Sequence, residues 1–69
     1  MTLRMRKLRL GLNKSQAKLA RETELNQSTV NQIENGRLRP YPSQLARLAE
    51  ALSVSQADAA SLLEQVSDD

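Results

Sequence analysis

The chain is expected to be all-α, a compact bundle of five short helices in a single domain. Three observations point there. Strand signals are almost absent: one aromatic residue in 69, few β-branched residues and no alternating run of useful length. Apolar residues recur instead at helical spacing, and Ser, Asn or Gly stands at the breaks between them.

Met5, Leu8 and Leu12 fall at i, i+3 and i+7, so the first helix is expected over about Thr2 to Leu12 with one apolar stripe, and Asn13 can close it in the left-handed conformation. Ser15 caps a second helix through about Glu22 that buries Leu19 and Ala20. After a tight turn at Thr23-Glu24-Leu25, Asn26 caps the third, Leu25 staples against Val30, and Gly36 ends it with positive φ. The segment "RLRPYP" reads as a loop, because each proline pushes its predecessor toward extended backbone. Ser43 caps a fourth helix whose Leu45, Leu48, Ala49 and Leu52 keep the same spacing. Ser55 and Asp58 form a capping box for a fifth, with Ala59, Leu62, Leu63 and Val66 on its buried side. The domain is expected over residues 1–66, followed by a frayed acidic tail at 67–69.

The totals exclude several chemistries. Without Cys or His there is no thiol nucleophile, disulfide, imidazole base or usual zinc ligand set. No phosphate-cradling Gly loop is present and the carboxylates are scattered, so no catalytic residue, metal site or cofactor site is expected. No apolar run approaches the roughly 18 residues of a membrane span, and no small-molecule ligand is evident; a cytoplasmic protein is the expectation.

The formal charge of +2 hides a polarity along the chain. Residues 1–39 carry nine Lys or Arg against three Glu, net +6, whereas residues 40–69 carry Arg47 against five acids, net −4. A basic first half suits a polyanion, and the acidic second half argues against indiscriminate coating of one.

The third helix is unusual in composition. "LNQSTVNQIENG" holds five amide side chains, Asn26, Gln27, Asn31, Gln32 and Asn35, although Asn is a poor helix former. Advancing roughly 100° per residue from Gln27, Asn31, Asn35, Ser28 and Gln32 fall within about 140° of it, while Ile33 and Val30 lie opposite. One face anchors the helix; the other is a fan of uncharged hydrogen-bonding groups. Such groups match base edges, where Gln or Asn can bond adenine N6 and N7 together and Ser serves several bases. A carboxylate there would be repelled by phosphates.

"SQAKLARETELNQSTVNQIENG" resembles the helix-turn-helix of the phage repressor and Cro family, the xenobiotic-response-element type. Ser15-Gln16, Leu19-Ala20, Leu25, Val30 and Ile33-Glu34-Asn35-Gly36 fill its pattern, and "PSQLARLAEAL" and "SVSQADAASLL" are similar to its fourth and fifth helices. The resemblance implies a lambda-repressor-like bundle with the helix-turn-helix at helices two and three. Two departures stand out. Glu24 occupies the turn position that normally holds Gly, at about 1 kcal/mol or more for a left-handed backbone. The link "GLNKSQ" is about two residues long if Gly11 is the usual Gly; giving Asn13 that role restores the register and makes Arg9 the family's first-helix Arg.

The resemblance implies an Arg9–Glu34 ion pair tying the first helix to the third, base reading by Gln27, Ser28 and Gln32 with Asn31 between them, and DNA backbone contact by Gln16, Asn35, Arg37 and Arg39. Lys14 and Lys18 could add phosphate contacts or simply be solvated, and Thr29 could meet a phosphate or the core edge. The expected protein is thus a regulator of transcription, a repressor of Cro type, on double-stranded DNA. One recognition helix covers too few base pairs for genomic specificity, so a homodimer on a near-palindromic operator is expected. The rival expectation is a protein-interaction module on the same scaffold, such as a toxin–antitoxin or anti-repressor component.

Overall fold

A computed structural model describes residues 2–66; the tail expected at 67–69 lies outside them. The described chain is a mostly helical bundle of five helices: α1 (Arg4–Gly11), α2 (Gln16–Thr23), α3 (Gln27–Glu34), α4 (Pro42–Ala51) and a 3-10 helix (Gln56–Leu63). Two short strands frame it, β1 (Thr2–Leu3) and β2 (Gln65–Val66), antiparallel with Thr2 opposite Val66 and Leu3 opposite Gln65. No helix among the described residues is long and apolar enough to cross a membrane.

The core comprises Met5 from α1, Leu19 and Ala20 from α2, Val30 and Ile33 from α3, Leu48, Ala49 and Leu52 at α4, and Ala59 and Leu62 from the 3-10 helix. Each element contributes one stripe, so no helix buries its apolar side without its neighbours.

All four α-helices stop in the same way. Asn13 (φ 57°), Glu24 (φ 60°), Gly36 (φ 73°) and Ser53 (φ 59°) take the left-handed conformation. The next residue then donates its N–H back into the helix: Lys14 to the Arg9 carbonyl at 3.1 Å, Leu25 to Ala20 at 2.8 Å, Arg37 to Gln32 at 2.9 Å and Val54 to Ala49 at 2.8 Å. This is the Schellman closure, which satisfies carbonyls the helix end would otherwise orphan. Only one of the four positions is Gly.

The structure corrects several expectations. Thr2 and Leu3 are not helical; they pair with the other end of the chain, and Arg4 N donates to the Glu64 carbonyl at 2.8 Å. Leu12 is 45% exposed, beyond the end of α1, and the inward position one turn after Met5 belongs to Arg9. Asn26 has the extended backbone of a cap but makes no side-chain cap bond. The fourth helix begins at Pro42, one residue before Ser43, because proline needs no N–H partner in a first turn; Tyr41 N is satisfied by Gln44 Oε1 at 3.0 Å.

The last helix winds as 3-10 instead of α. Its Ser55 Oγ donates to Asp58 Oδ2 at 3.0 Å, so the hydroxyl turns to the carboxylate instead of capping backbone, and Ser61 Oγ reaches the Asp58 carbonyl at 2.6 Å. Ala59 and Leu62, three apart, share one side of a three-residue turn, and both are buried. Eight residues is long for this conformation. Tertiary bonds hold it: Gln56 Nε2 to the Ala46 carbonyl at 3.0 Å, and Arg4 Nη1 to Ser61 Oγ. Val66, expected on its buried side, lies in β2.

Candidate nucleic-acid interface

Three residues join α2 to α3, and the left-handed Glu24 (φ 60°, ψ 32°) sets the direction of the second helix. Ser15 Oγ accepts from Lys18 N at 3.0 Å and starts α2; Thr23, fully buried, ends it by donating its hydroxyl to the Leu19 carbonyl at 2.7 Å. Val30 and Ile33 are fully buried, pinning α3 by one face. The opposite face carries Gln27, Ser28, Asn31, Gln32 and Asn35, all exposed, while Thr29 is half-buried. The side chains of Gln27, Ser28 and Gln32 make no hydrogen bond to any other described residue.

Beneath this face Arg9 holds Glu34 with two parallel bonds, Nε to Oε2 at 2.7 Å and Nη2 to Oε1 at 3.1 Å. Both residues are 6% exposed. The remaining Arg9 nitrogen, Nη1, donates to the Lys14 carbonyl at 2.7 Å, so one guanidinium fastens α1, the α1–α2 turn and α3. Burying two charges is tolerable here because fork and carboxylate match; among the described residues no buried side-chain polar atom lacks a partner.

Gln16, at the start of α2, also reaches this pair. Its Nε2 donates to Glu34 Oε1 at 3.1 Å, and its Oε1 accepts from Asn31 Nδ2 at 3.2 Å. Asn35 Nδ2 then donates to Asn31 Oδ1 at 2.7 Å. Asn31 and Asn35 are therefore linked to the protein interior, unlike Gln27, Ser28 and Gln32.

The cations fall into two groups. Lys18, on α2 near Glu22, and Arg37 and Arg39, in the loop after α3, are exposed. Lys14 is different: its Nζ bonds Glu22 Oε1 at 2.8 Å and the Ala51 carbonyl at 2.7 Å, tying α2 to the end of α4 with only 18% of its side chain exposed. Its surroundings include Glu24, Arg47 and Glu50. The hydrogen bond from Lys14 is the main influence on Glu22, whose carboxyl it lowers below the usual 4.5; desolvation opposes the shift, and the charges of Lys14 and Lys18 reinforce it.

A groove of 580 Å³ runs beside α3, lined among others by Arg6, Lys7, Leu10, Gln16, Asn31 and Asn35. Arg6 and Lys7 were not among the residues singled out from the sequence; two adjacent cations following the buried Met5 on α1 were the available signal. Among the described residues no group of three or more carboxylates, imidazoles or thiols is gathered where a metal ion could sit.

A family model described as a helix-turn-helix domain matches residues 1–62. Searches of curated proteins and of solved structures returned no match.

Proposed function

The chain belongs to the helix-turn-helix domain family, and from that premise we propose a sequence-specific regulator of transcription of the Cro and phage-repressor type that binds double-stranded DNA. One observation carries this reading: Gln27, Ser28 and Gln32 stand exposed on one face of α3 with no partner among the described residues, while Val30 and Ile33 on the other face are fully buried. Uncharged donors and acceptors held on a rigid rod are what a major groove can pair with. Lys18, Arg37 and Arg39 position the domain on phosphates, joined by the amide of Asn35, the hydroxyl of Thr29 and the first N–H groups of α2. Lys14 is committed to Glu22 and Ala51 and is left out of that set. The protein acts by binding, not by catalysis.

Specificity across a genome calls for two copies on one face of the DNA, with half-sites about one helical turn apart. Tyr41, 72% exposed, and Leu38, 40% exposed, flank the start of α4 and suit a homodimer contact at that end. The test is the double variant Gln27→Ala/Gln32→Ala. It should unfold at nearly the wild-type temperature yet lose preference for a sequence selected from a random DNA pool. Retained preference would remove the recognition helix from the reading, and failure of the wild-type protein to enrich any sequence would favour a protein partner for the same face.

A further inference from the structure

We propose that Gln16 is a positioning residue that transmits the fixed polarity of the buried Glu34 carboxylate to Asn31 and Asn35, and so decides which edge each presents to DNA. The proposal rests on the DNA-binding reading above for its consequence but not for its geometry.

A primary amide has a donor edge and an acceptor edge, and a solvated one can turn either outward. At Gln16 that freedom is gone. A carboxylate only accepts, and Glu34 Oε1 receives Arg9 Nη2 and Gln16 Nε2, each at 3.1 Å. Turning the Gln16 amide over would set two acceptors against each other at the same distance. With its NH2 toward Glu34, Gln16 shows its carbonyl to Asn31, which answers with its NH2 at 3.2 Å. Asn31 then shows its own carbonyl to Asn35, whose NH2 closes the chain at 2.7 Å. Three amides are aligned head to tail from one buried charge.

This alignment leaves Asn31 one free N–H and one free lone pair in a fixed order along the groove. A G·C pair presents two acceptors and then a donor across the major groove, and C·G presents them in the opposite order, so a fixed amide can tell the two apart where a freely turning one would compromise. The side chain is also ordered before binding, which lowers the entropy cost of contact.

The substitution Gln16→Met keeps the length and removes both hydrogen bonds. In the free protein, the side-chain NH2 resonances of Asn31 and Asn35 should move and exchange faster with water, while those of Gln27 and Gln32 stay in place. On DNA, selection from a random pool should give a motif in which one position per half-site has lost about tenfold in discrimination, the lower part of the range for a bidentate base contact, with the other positions retained and the melting temperature lowered only by the few degrees that the lost bond to Glu34 costs. Unmoved Asn31 and Asn35 resonances would overturn the relay. So would an equal loss of affinity on every sequence, which marks Gln16 as a plain backbone contact. Shifted resonances in a protein whose wild type enriches no motif would uphold the relay and sink the DNA reading alone.

Discussion

The guanidinium of Arg9 and the carboxylate of Glu34 meet edge to edge across 25 residues of sequence, at 2.7 and 3.1 Å, with both residues 6% exposed. Breaking such a pair from one side leaves a bare buried charge, at a cost of about 3–5 kcal/mol. A domain of this size has only about 3–10 kcal/mol in all. Arg9→Met or Glu34→Ala alone should therefore leave much of the protein unfolded at room temperature in urea titration. Replacing both, as Arg9→Met/Glu34→Leu, should recover most of the loss, but not all, because Lys14 and Gln16 also use the pair. If the double variant is no more stable than either single one, the pair is not the source of the cost.

Glu24 bears the backbone strain of the helix-turn-helix. Its φ of 60° costs a residue with a Cβ about 1–2 kcal/mol that Gly avoids, less the extra freedom Gly has when unfolded, about 0.4–1 kcal/mol. Glu24→Gly should raise stability by about 0.5–1 kcal/mol, or roughly 2–8 °C in melting temperature. The reciprocal change is Gly36→Ala, where an added Cβ meets nothing within 4 Å, so any loss is purely conformational and should be about 1 kcal/mol. Thermal melts of both variants moving in the same direction would contradict this account.

The residues at these helix ends also show how far the sequence can be read. Asn13 in the role of the usual Gly was legible, because placing it there restores the register of the first helix with Arg9, and the family resemblance implied the Arg9–Glu34 pair. What escaped was set by contacts between distant parts of the chain. Nothing local marks Thr2 and Val66 as strand partners, since two residues carry no alternation. Leu62 and Leu63 suit an α-helix as well as a 3-10 helix until Ala46 and Arg4 supply their bonds to it. In the site, helical periodicity separated exposed from buried on α3, yet it could not show that Lys14 turns toward Glu22 or that Gln16 lies between Glu34 and Asn31, because both are links between elements.

Glu22 gives the protein a small acid sensitivity. Its folded-state carboxyl lies below the ordinary 4.5, chiefly because Lys14 Nζ donates to it at 2.8 Å. A depressed folded value means that the stabilisation is fully present above the unfolded value and is lost as pH falls through the folded one. The melting temperature of the wild type should exceed that of Glu22→Gln at neutral pH, and the gap should close progressively below about pH 4.5. A gap independent of pH would show that Glu22 acts through packing and not through its charge.

Salt dependence tests which cations meet DNA under the proposed function and which are engaged inside the fold. Each phosphate neutralised contributes about −0.9 to the slope of log K against log salt. With Lys18, Arg37 and Arg39 engaged, a subunit should show a slope of about −2.7, and a dimer twice that. Arg37→Gln and Arg39→Gln should each make the slope per subunit shallower by about 0.9 and weaken binding alike on all sequences. Lys14→Gln should leave the slope where it is and lower the melting temperature instead, because that ammonium already bonds Glu22 and the end of α4 at Ala51. Fluorescence anisotropy across a salt series decides between them: a shallower slope for Lys14→Gln would mean that DNA draws the side chain out of its internal bonds.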